Sequence, residues 1–127
     1  MKKLLLTAFA VSSIGLFGLS LRAADEDMKG EHSMTGVLID NACGGKAEMK
    51  TEADAAKHPL SCAKKPGCAA SGYQLVVGEK HYKLDDKGND QAKTYLDNAE
   101  TTHVTVMGTM DGENIKVSSI KKAEEKQ

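Results

Sequence analysis

The chain of 127 residues carries 17 basic and 18 acidic side chains, a formal net charge of −1, and 4% aromatic residues. This length fits one small domain, which excludes a multidomain enzyme and a repeat array. Nucleic-acid binding needs basic tracks and aromatic platforms, so this balance argues against it.

The first 23 residues are predicted to be a secretory signal peptide. Two lysines precede an uncharged stretch over residues 4–21, and small residues follow it, as in exported precursors. An uncleaved anchor is the alternative, because about 18 residues lie near the lower limit for a spanning helix. Cleavage would remove three basic residues and leave a net charge of about −4. We therefore expect a periplasmic or secreted protein with no membrane span after cleavage.

A charged leader and a first strand are expected to follow the signal. Residues 24–33 show no apolar period, which is typical of a flexible segment. Residues 34–40 are predicted to form the first strand. An insertion over residues 41–72 comes next, and its Ala, Glu and Lys content predicts a short helix over residues 46–57.

The remaining pattern predicts four more strands and one longer helix. The predicted strands are residues 73–77, 80–84, 102–110 and 114–120, and the helix is residues 90–99. Gly78-Glu79 lies between two alternating segments and is typical of a β-hairpin turn. Asp90 is expected to cap the helix, and Gly108 is placed where a strand could bend.

One helix between the third and fourth of five short strands is the connectivity of the OB-fold, a small Greek-key barrel. We therefore expect a mainly β fold, an OB-fold-like five-stranded antiparallel barrel over residues 34–121. A partly helical, cysteine-containing insertion would separate strands 1 and 2, and residues 122–127 would form a tail. The alternative is a plain twisted antiparallel sheet with one helix packed on it.

The insertion contains all three cysteines of the chain, Cys43, Cys62 and Cys68, together with His58. Three thiols and an imidazole form a complete ligand set for a tetrahedral site that holds zinc or copper. The spacing differs from that of a zinc finger, because five residues separate Cys62 from Cys68. We expect the three thiols to form one cluster with His58 adjacent. Asp40, just before this segment, is interpreted as a polar strand end, with orientation of a metal ligand as the alternative.

A structural disulfide is the competing interpretation of the cysteines. Small exported domains often depend on one, and joining Cys43 to Cys62 or Cys68 would stabilise the fold by roughly 3 kcal/mol in the chain-entropy model. Joining Cys62 to Cys68 requires a turn at Pro66-Gly67, because a separation of six residues in a helix rises about 9 Å. Any pairing leaves one thiol for a partner bond, a metal ion or redox chemistry.

Four segments resemble a family of small exported bacterial proteins of unknown function: TGVLIDNACGGK, HPLSCAKKPGCAASGYQLVV, KHYKLDDKGN and VTVMGTMDGENIKVSSIK. The resemblance covers most of residues 35–121. Its most specific part is a Cys-Gly pair followed by the pattern His-x3-Cys-x5-Cys-x2-Ser-Gly-Tyr. The resemblance implies an OB-fold-like domain and the same four cysteine and histidine positions, but no reaction.

The sequence carries no recognised catalytic motif. We therefore expect a small exported binding module that is not an enzyme and whose partner is a small ligand, a metal ion or an envelope protein. A thiol- or metal-dependent redox protein is one alternative. A purely structural, envelope-associated protein is the other.

Overall fold

The computed structural model describes residues 30–124. The predicted signal peptide over residues 1–23 lies outside the described residues, as do most of the predicted leader and the end of the tail. In chain order the elements are β1 (Glu31–Asp40), α1 (Asn41–Gly44), α2 (Glu52–Ala55), α3 (Leu60–Ala63), α4 (Pro66–Ala70), β2 (Tyr73–Val77), β3 (Lys80–Leu84), α5 (Asp86–Asn98), β4 (His103–Asp111) and β5 (Asn114–Lys122). None of the described helices is both long and apolar enough to cross a membrane.

The five strands form one mixed sheet that closes in a ring, in the order β1-β2-β3-β5-β4. β1 belongs to both ends of this order, because its first part pairs with β4 and its last part with β2. β3 and β5 pair in parallel at two positions, Lys83 with Asn114 and Leu84 with Ile115. The expectation of a wholly antiparallel barrel is therefore wrong. Five strands cannot alternate in direction all the way around a ring, so one neighbouring pair must be parallel.

Two glycines allow neighbouring strands of the ring to approach closely. A Cβ atom at Gly36 would overlap the carbonyl oxygen of Val76, and one at Gly108 would overlap that of Lys116. The register between β4 and β5 shifts between Met107 and Gly108. Such a bulge bends a strand and increases its twist, which helps a small sheet to close.

The main core lies on one face of the curved sheet and takes side chains from all five strands. Its buried members are Leu38, Ala63, Tyr73, Leu75, Leu84, Ala92, Leu96, Val104, Val106, Ile115 and Val117. The helix α5 contributes Ala92 and Leu96, and the one-turn helix α3 contributes Ala63. The insertion is therefore attached to the main core through Ala63, with Leu60 and Ala69 packed beside it.

A second, smaller core lies on the opposite face of β1 and β2. It consists of Val37, Ile39, Ala55 and Val76, with Cys43 and Met49 packed against it. Successive residues of a strand point to opposite faces, so Leu38 faces the main core while its neighbours face the second. The insertion supplies the cover for this second core, and that packing holds residues 41–72 against the end of β1.

The strand β1 begins at Glu31, three residues before the predicted start. Glu31 pairs with Thr109, and the ladder continues towards the centre of β1. These first residues are polar and mostly exposed, so no hydrophobic alternation marks them. Backbone pairing with β4 extends the strand into the segment predicted to be a flexible leader.

The helix α5 begins four residues before the predicted start, at Asp86 rather than at Asp90. Its N-cap is Asp85, whose Oδ1 accepts hydrogen bonds from the backbone N–H of Gly88 at 2.9 Å and of Val117 at 3.1 Å. Gly88 packs so closely on Val117 that a Cβ atom would overlap that side chain. The residues between the predicted third strand and the predicted helix are therefore helical from Asp86, because Asp85 satisfies the first turn.

The helix predicted over residues 46–57 is wrong in length. The structure has a single turn there, Glu52–Ala55, preceded by residues without helical structure. Thr51 caps this turn, since its hydroxyl accepts from the backbone N–H of Asp54 at 3.2 Å and the Asp54 carboxylate accepts from the backbone N–H of Thr51 at 3.2 Å. This reciprocal capping box fixes Thr51 as the N-cap of α2. The helix therefore does not extend back into the residues before Thr51.

Candidate metal centre

The end of β1 places a carboxylate at the start of the insertion. Asp40 is fully buried, with 0% of its surface exposed. It is the N-cap of α1, and its Oδ1 accepts a hydrogen bond from the backbone N–H of Cys43 at 2.9 Å. Aspartate is among the preferred N-cap residues, so this local turn brings Cys43 back towards the carboxylate.

The second oxygen of Asp40 and one nitrogen of His58 lack hydrogen-bond partners among the described residues. Oδ2 of Asp40 and Nδ1 of His58 are both buried and unpartnered. His58 is 8% exposed, and its Nε2 lies 3.8 Å from Oδ2 of Asp40, which is too far for a hydrogen bond. Buried polar atoms are nearly always satisfied, so two unpartnered groups side by side mark a place where a ligand fits.

Cys43 completes a group of three metal-ligating side chains. Ligand atoms of Asp40, Cys43 and His58 all lie within 4.8 Å of one another. Metal bonds of about 2.0–2.3 Å in a tetrahedral site place ligand atoms roughly 3.3–3.8 Å apart. A contraction of about 1 Å would therefore bring the three atoms to bonding distance from one ion. Within residues 30–124, no second group of this kind occurs.

His58 reaches the centre because the chain changes direction between α2 and α3. Its backbone N–H donates to the carbonyl of Ala55 at 3.0 Å, and Ala55 is anchored in the second core. Pro59 follows as the N-cap of α3, with extended backbone angles. A proline disfavours helical geometry in the residue before it, so α2 ends before His58 and the imidazole is free to turn inward.

Burial and negative charge raise the pKa of the Cys43 thiol above its ordinary value. Desolvation is the largest cause and the charge of Asp40 is the next, while Lys46 acts in the opposite direction. The thiol is therefore protonated near neutral pH, and a metal ion that binds it must displace the proton. A catalytic cysteine needs the opposite shift, because the thiolate is the nucleophile.

The structure brings together two of the four ligands predicted from the sequence, Cys43 and His58. Cys62 lies on α3 and Cys68 on α4, and neither belongs to the group of three. All three cysteines are partly buried free thiols. The three thiols therefore do not belong to one group of ligand atoms within 4.8 Å, and all three are unbridged in this structure.

Asp40 is the member of this group that the sequence analysis did not count among the candidate ligands, because its position at the end of a strand has a simple structural explanation. The available signal was its spacing from Cys43. An aspartate three residues before a cysteine at the start of a helical turn caps the cysteine's backbone N–H. The same turn places one carboxylate oxygen beside the thiol.

Two other histidines lie away from this centre. His103 is exposed, and His81 is half-buried with its Nε2 3.2 Å from the carbonyl oxygen of Lys50. A surface cleft of about 620 Å³ lies between His81 and α1. Its lining residues are Gly44, Gly45, Lys46, Met49, Lys50, Thr51, Gln74, Glu79 and His81. The cleft therefore approaches α1 from the solvent side.

Comparisons with known proteins identify no relative: no protein-family model matches the chain, and neither the curated proteins nor the solved structures give a significant match. Function must therefore be inferred from the centre itself. Asp40, Cys43 and His58 offer one oxygen, one sulfur and one nitrogen to a metal ion. Three protein ligands leave a further coordination position for another donor.

Proposed function

We propose that the protein is an exported binding module, not an enzyme, that holds a zinc ion through Asp40, Cys43 and His58. The observation that carries this proposal is the buried Asp40 carboxylate, whose Oδ2 has no hydrogen-bond partner among the described residues. A buried carboxylate with one oxygen left unsatisfied is unfavourable. A divalent cation at this position would compensate the charge and would also use the nearby thiol and imidazole.

Zinc fits this donor set better than copper(I). Copper(I) prefers soft sulfur ligands, whereas a carboxylate is a hard ligand. Zinc accepts oxygen, nitrogen and sulfur donors together in one tetrahedral site. The combination of Asp40, His58 and Cys43 therefore favours zinc among the metals that the sequence indicated.

A structural ion pair between Asp40 and His58 is the simplest competing explanation. A buried pair is favourable only when its geometry is good and its remaining polar atoms are satisfied. Here the Asp40–His58 separation is 3.8 Å, and Nδ1 of His58 is buried without a partner in the described part of the chain. An ion bound between Oδ2 of Asp40 and an imidazole nitrogen of His58 would account for the 3.8 Å separation and for the unpartnered carboxylate oxygen.

Binding is proposed rather than catalysis because the centre is enclosed. Asp40 is fully buried and His58 nearly so, while Cys43 is half-buried. A substrate would have to reach these groups past the second core. No described contact favours the alternatives of a redox protein or of a purely structural envelope protein.

The scaffold is proposed to be OB-fold-like. The strand order β1-β2-β3-β5-β4 supports this assignment, as does the helix α5 between β3 and β4. The division of β1 between two partner strands supports it as well. OB-folds share this curved five-stranded architecture.

Export is supported by the amino-terminal segment, in which two lysines precede an apolar run. An exported thiol meets an oxidising environment. Coordination to zinc holds a thiolate in a bond to the metal, and this would keep Cys43 from random disulfide exchange. The predicted location and the proposed metal centre are therefore chemically compatible.

Zinc titration of the purified, reduced protein tests the proposal. Isothermal titration calorimetry should give about one zinc ion per chain. Asp40→Asn, Cys43→Ser and His58→Gln should each lower the affinity by at least about 10-fold. His81→Gln is the matched control and should bind as the unmodified protein does. The absence of zinc binding, or ligand variants that bind normally, would contradict the proposed function.

A further inference from the structure

The end of α4 is tied to the start of α1 through one serine. The Ser71 hydroxyl accepts from the backbone N–H of Ala42 at 3.1 Å and donates to the carbonyl oxygen of Cys68 at 2.6 Å. The side chain of Asn41 adds a bond of 2.9 Å to the Ser71 carbonyl. The residue before Cys43 and the backbone of Cys68 therefore lie on either side of a single hydroxyl group.

A reversal of the chain at Gly72 produces this contact. Gly72 has a φ of +80°, a conformation that residues with a side chain rarely adopt. The reversal returns the chain from α4 into β2, whose first residue, Tyr73, pairs with Asp40 across the sheet. Cys68 is thereby brought to the side of the molecule on which Asp40 lies.

The contacts between the short helices agree with this placement. The helix α1, which carries Cys43, packs against α4, which carries Cys68. Cys62 lies on α3, which packs against α4 in turn. Cys68 therefore lies on the helix next to the centre, although it is outside the group of three.

A small movement would bring the Cys68 sulfur closer to the centre. Rotation between staggered rotamers displaces a cysteine sulfur by roughly 3 Å. α4 is a single turn without a side-chain cap bond at its start, and Cys68 is half-buried. Such short, weakly stabilised segments adjust at low energetic cost.

We propose that Cys68 supplies the fourth ligand of the metal ion and completes a tetrahedral site with Asp40, Cys43 and His58. This inference rests on the proposed function, because it concerns the same ion. Binding would displace the proton of each thiol and would close α4 onto α1. Cys62, on the neighbouring turn α3, takes no part.

Cobalt(II) provides the test, because it replaces zinc in tetrahedral sites and its absorption reports the ligands. The near-ultraviolet charge-transfer band grows with the number of bound thiolates. The reduced, unmodified protein should show a band for two thiolates. Cys68→Ser and Cys43→Ser should each halve it, and Cys68→Ser should weaken zinc binding about 10-fold. Cys62→Ser is the matched control and should leave both quantities unchanged.

The possible outcomes separate this inference from the proposed function. A one-thiolate band in the unmodified protein, unchanged by Cys68→Ser, would overturn the inference while the three-ligand site stands. A band halved by Cys62→Ser would overturn it as well. If neither cobalt nor zinc binds at all, the proposed function fails and the inference fails with it. Should Cys68→Ser not fold, Cys68→His restores a fourth donor and should give tetrahedral absorption with one thiolate.

Discussion

The closed five-stranded ring and the insertion over residues 41–72 are stabilised by different means. The ring surrounds a continuous hydrophobic core to which every strand contributes. The insertion consists of four helices of four or five residues each, a length at which an isolated helix is unstable. Its shape depends on capping bonds at Asp40 and Thr51 and on packing against the outer face of the sheet. A protein built this way combines a rigid scaffold with a segment whose conformation can respond to a bound ion.

The largest expected effect of a substitution lies in the ring. Leu75→Ala removes a fully buried side chain of the main core and should lower the free energy of unfolding by about 2–5 kcal/mol. Urea denaturation measures this change. Lys93→Ala, at an exposed position of α5, is the control and should change it by less than about 0.5 kcal/mol. A loss below about 1 kcal/mol for Leu75→Ala would contradict the role assigned to this core.

Zinc binding, in contrast, should stabilise the insertion more than the ring. At a free concentration 100 times the dissociation constant, zinc should stabilise the protein by about 2.7 kcal/mol, and a chelator should reverse the effect. Hydrogen exchange followed by mass spectrometry should show the largest added protection in residues 41–72.

Asp40→Asn keeps an N-cap side chain but removes the charge, so it should abolish the zinc-dependent stabilisation. Equal added protection in the ring and the insertion would contradict the division between scaffold and responsive segment. Persistence of the full stabilisation in Asp40→Asn would contradict the role of this carboxylate.

One buried hydrogen bond connects the two regions, and its removal should have an intermediate effect. The Tyr73 hydroxyl donates to the carbonyl oxygen of Ala63 at 3.0 Å. Tyr73→Phe leaves that carbonyl unsatisfied and should destabilise the protein by about 1–2 kcal/mol. Tyr82→Phe is the control outside this contact, with an expected change below about 0.5 kcal/mol. Equal effects of the two substitutions in thermal denaturation would show that the bond does not connect the regions.

The smallest expected effect concerns the capping box of α2 at low pH. Hydrogen bonds from Thr51 lower the pKa of Asp54 below its ordinary value of 3.8. Because the pKa is lower in the folded state, this contribution is present above that value and is lost as the pH falls through the folded pKa. Melting temperatures measured between about pH 2 and pH 6 should fall less steeply for Asp54→Asn than for the unmodified protein. If the melting temperatures of the two proteins fell in parallel with pH, the stabilising role of the ionised Asp54 carboxylate would be contradicted.

Local patterns predicted the elements that depend on local interactions. The bounds of β2 and β3 agree with the prediction, because their alternating side chains surround a short turn at Gly78. The parallel pairing of β3 with β5 could not be predicted from local patterns. It joins segments that are distant in sequence, and the side-chain pattern of a strand does not determine which strand it pairs with.

The candidate centre was predicted in part for a related reason. Cys43 and His58 were identified by residue type and by their position in one insertion. Asp40 depends on an N-cap bond that forms at the end of a strand, and its burial depends on the second core around it. Cysteine spacing alone does not determine which thiols lie close together, so Cys62 and Cys68 could not be distinguished from the sequence.

The most direct test of the central claim is anomalous diffraction at the zinc absorption edge from crystals grown with zinc. One strong peak is expected within bonding distance of Oδ2 of Asp40, the sulfur of Cys43 and an imidazole nitrogen of His58. A well-ordered insertion with no zinc peak between these three side chains, or with zinc bound only elsewhere on the molecule, would contradict the account.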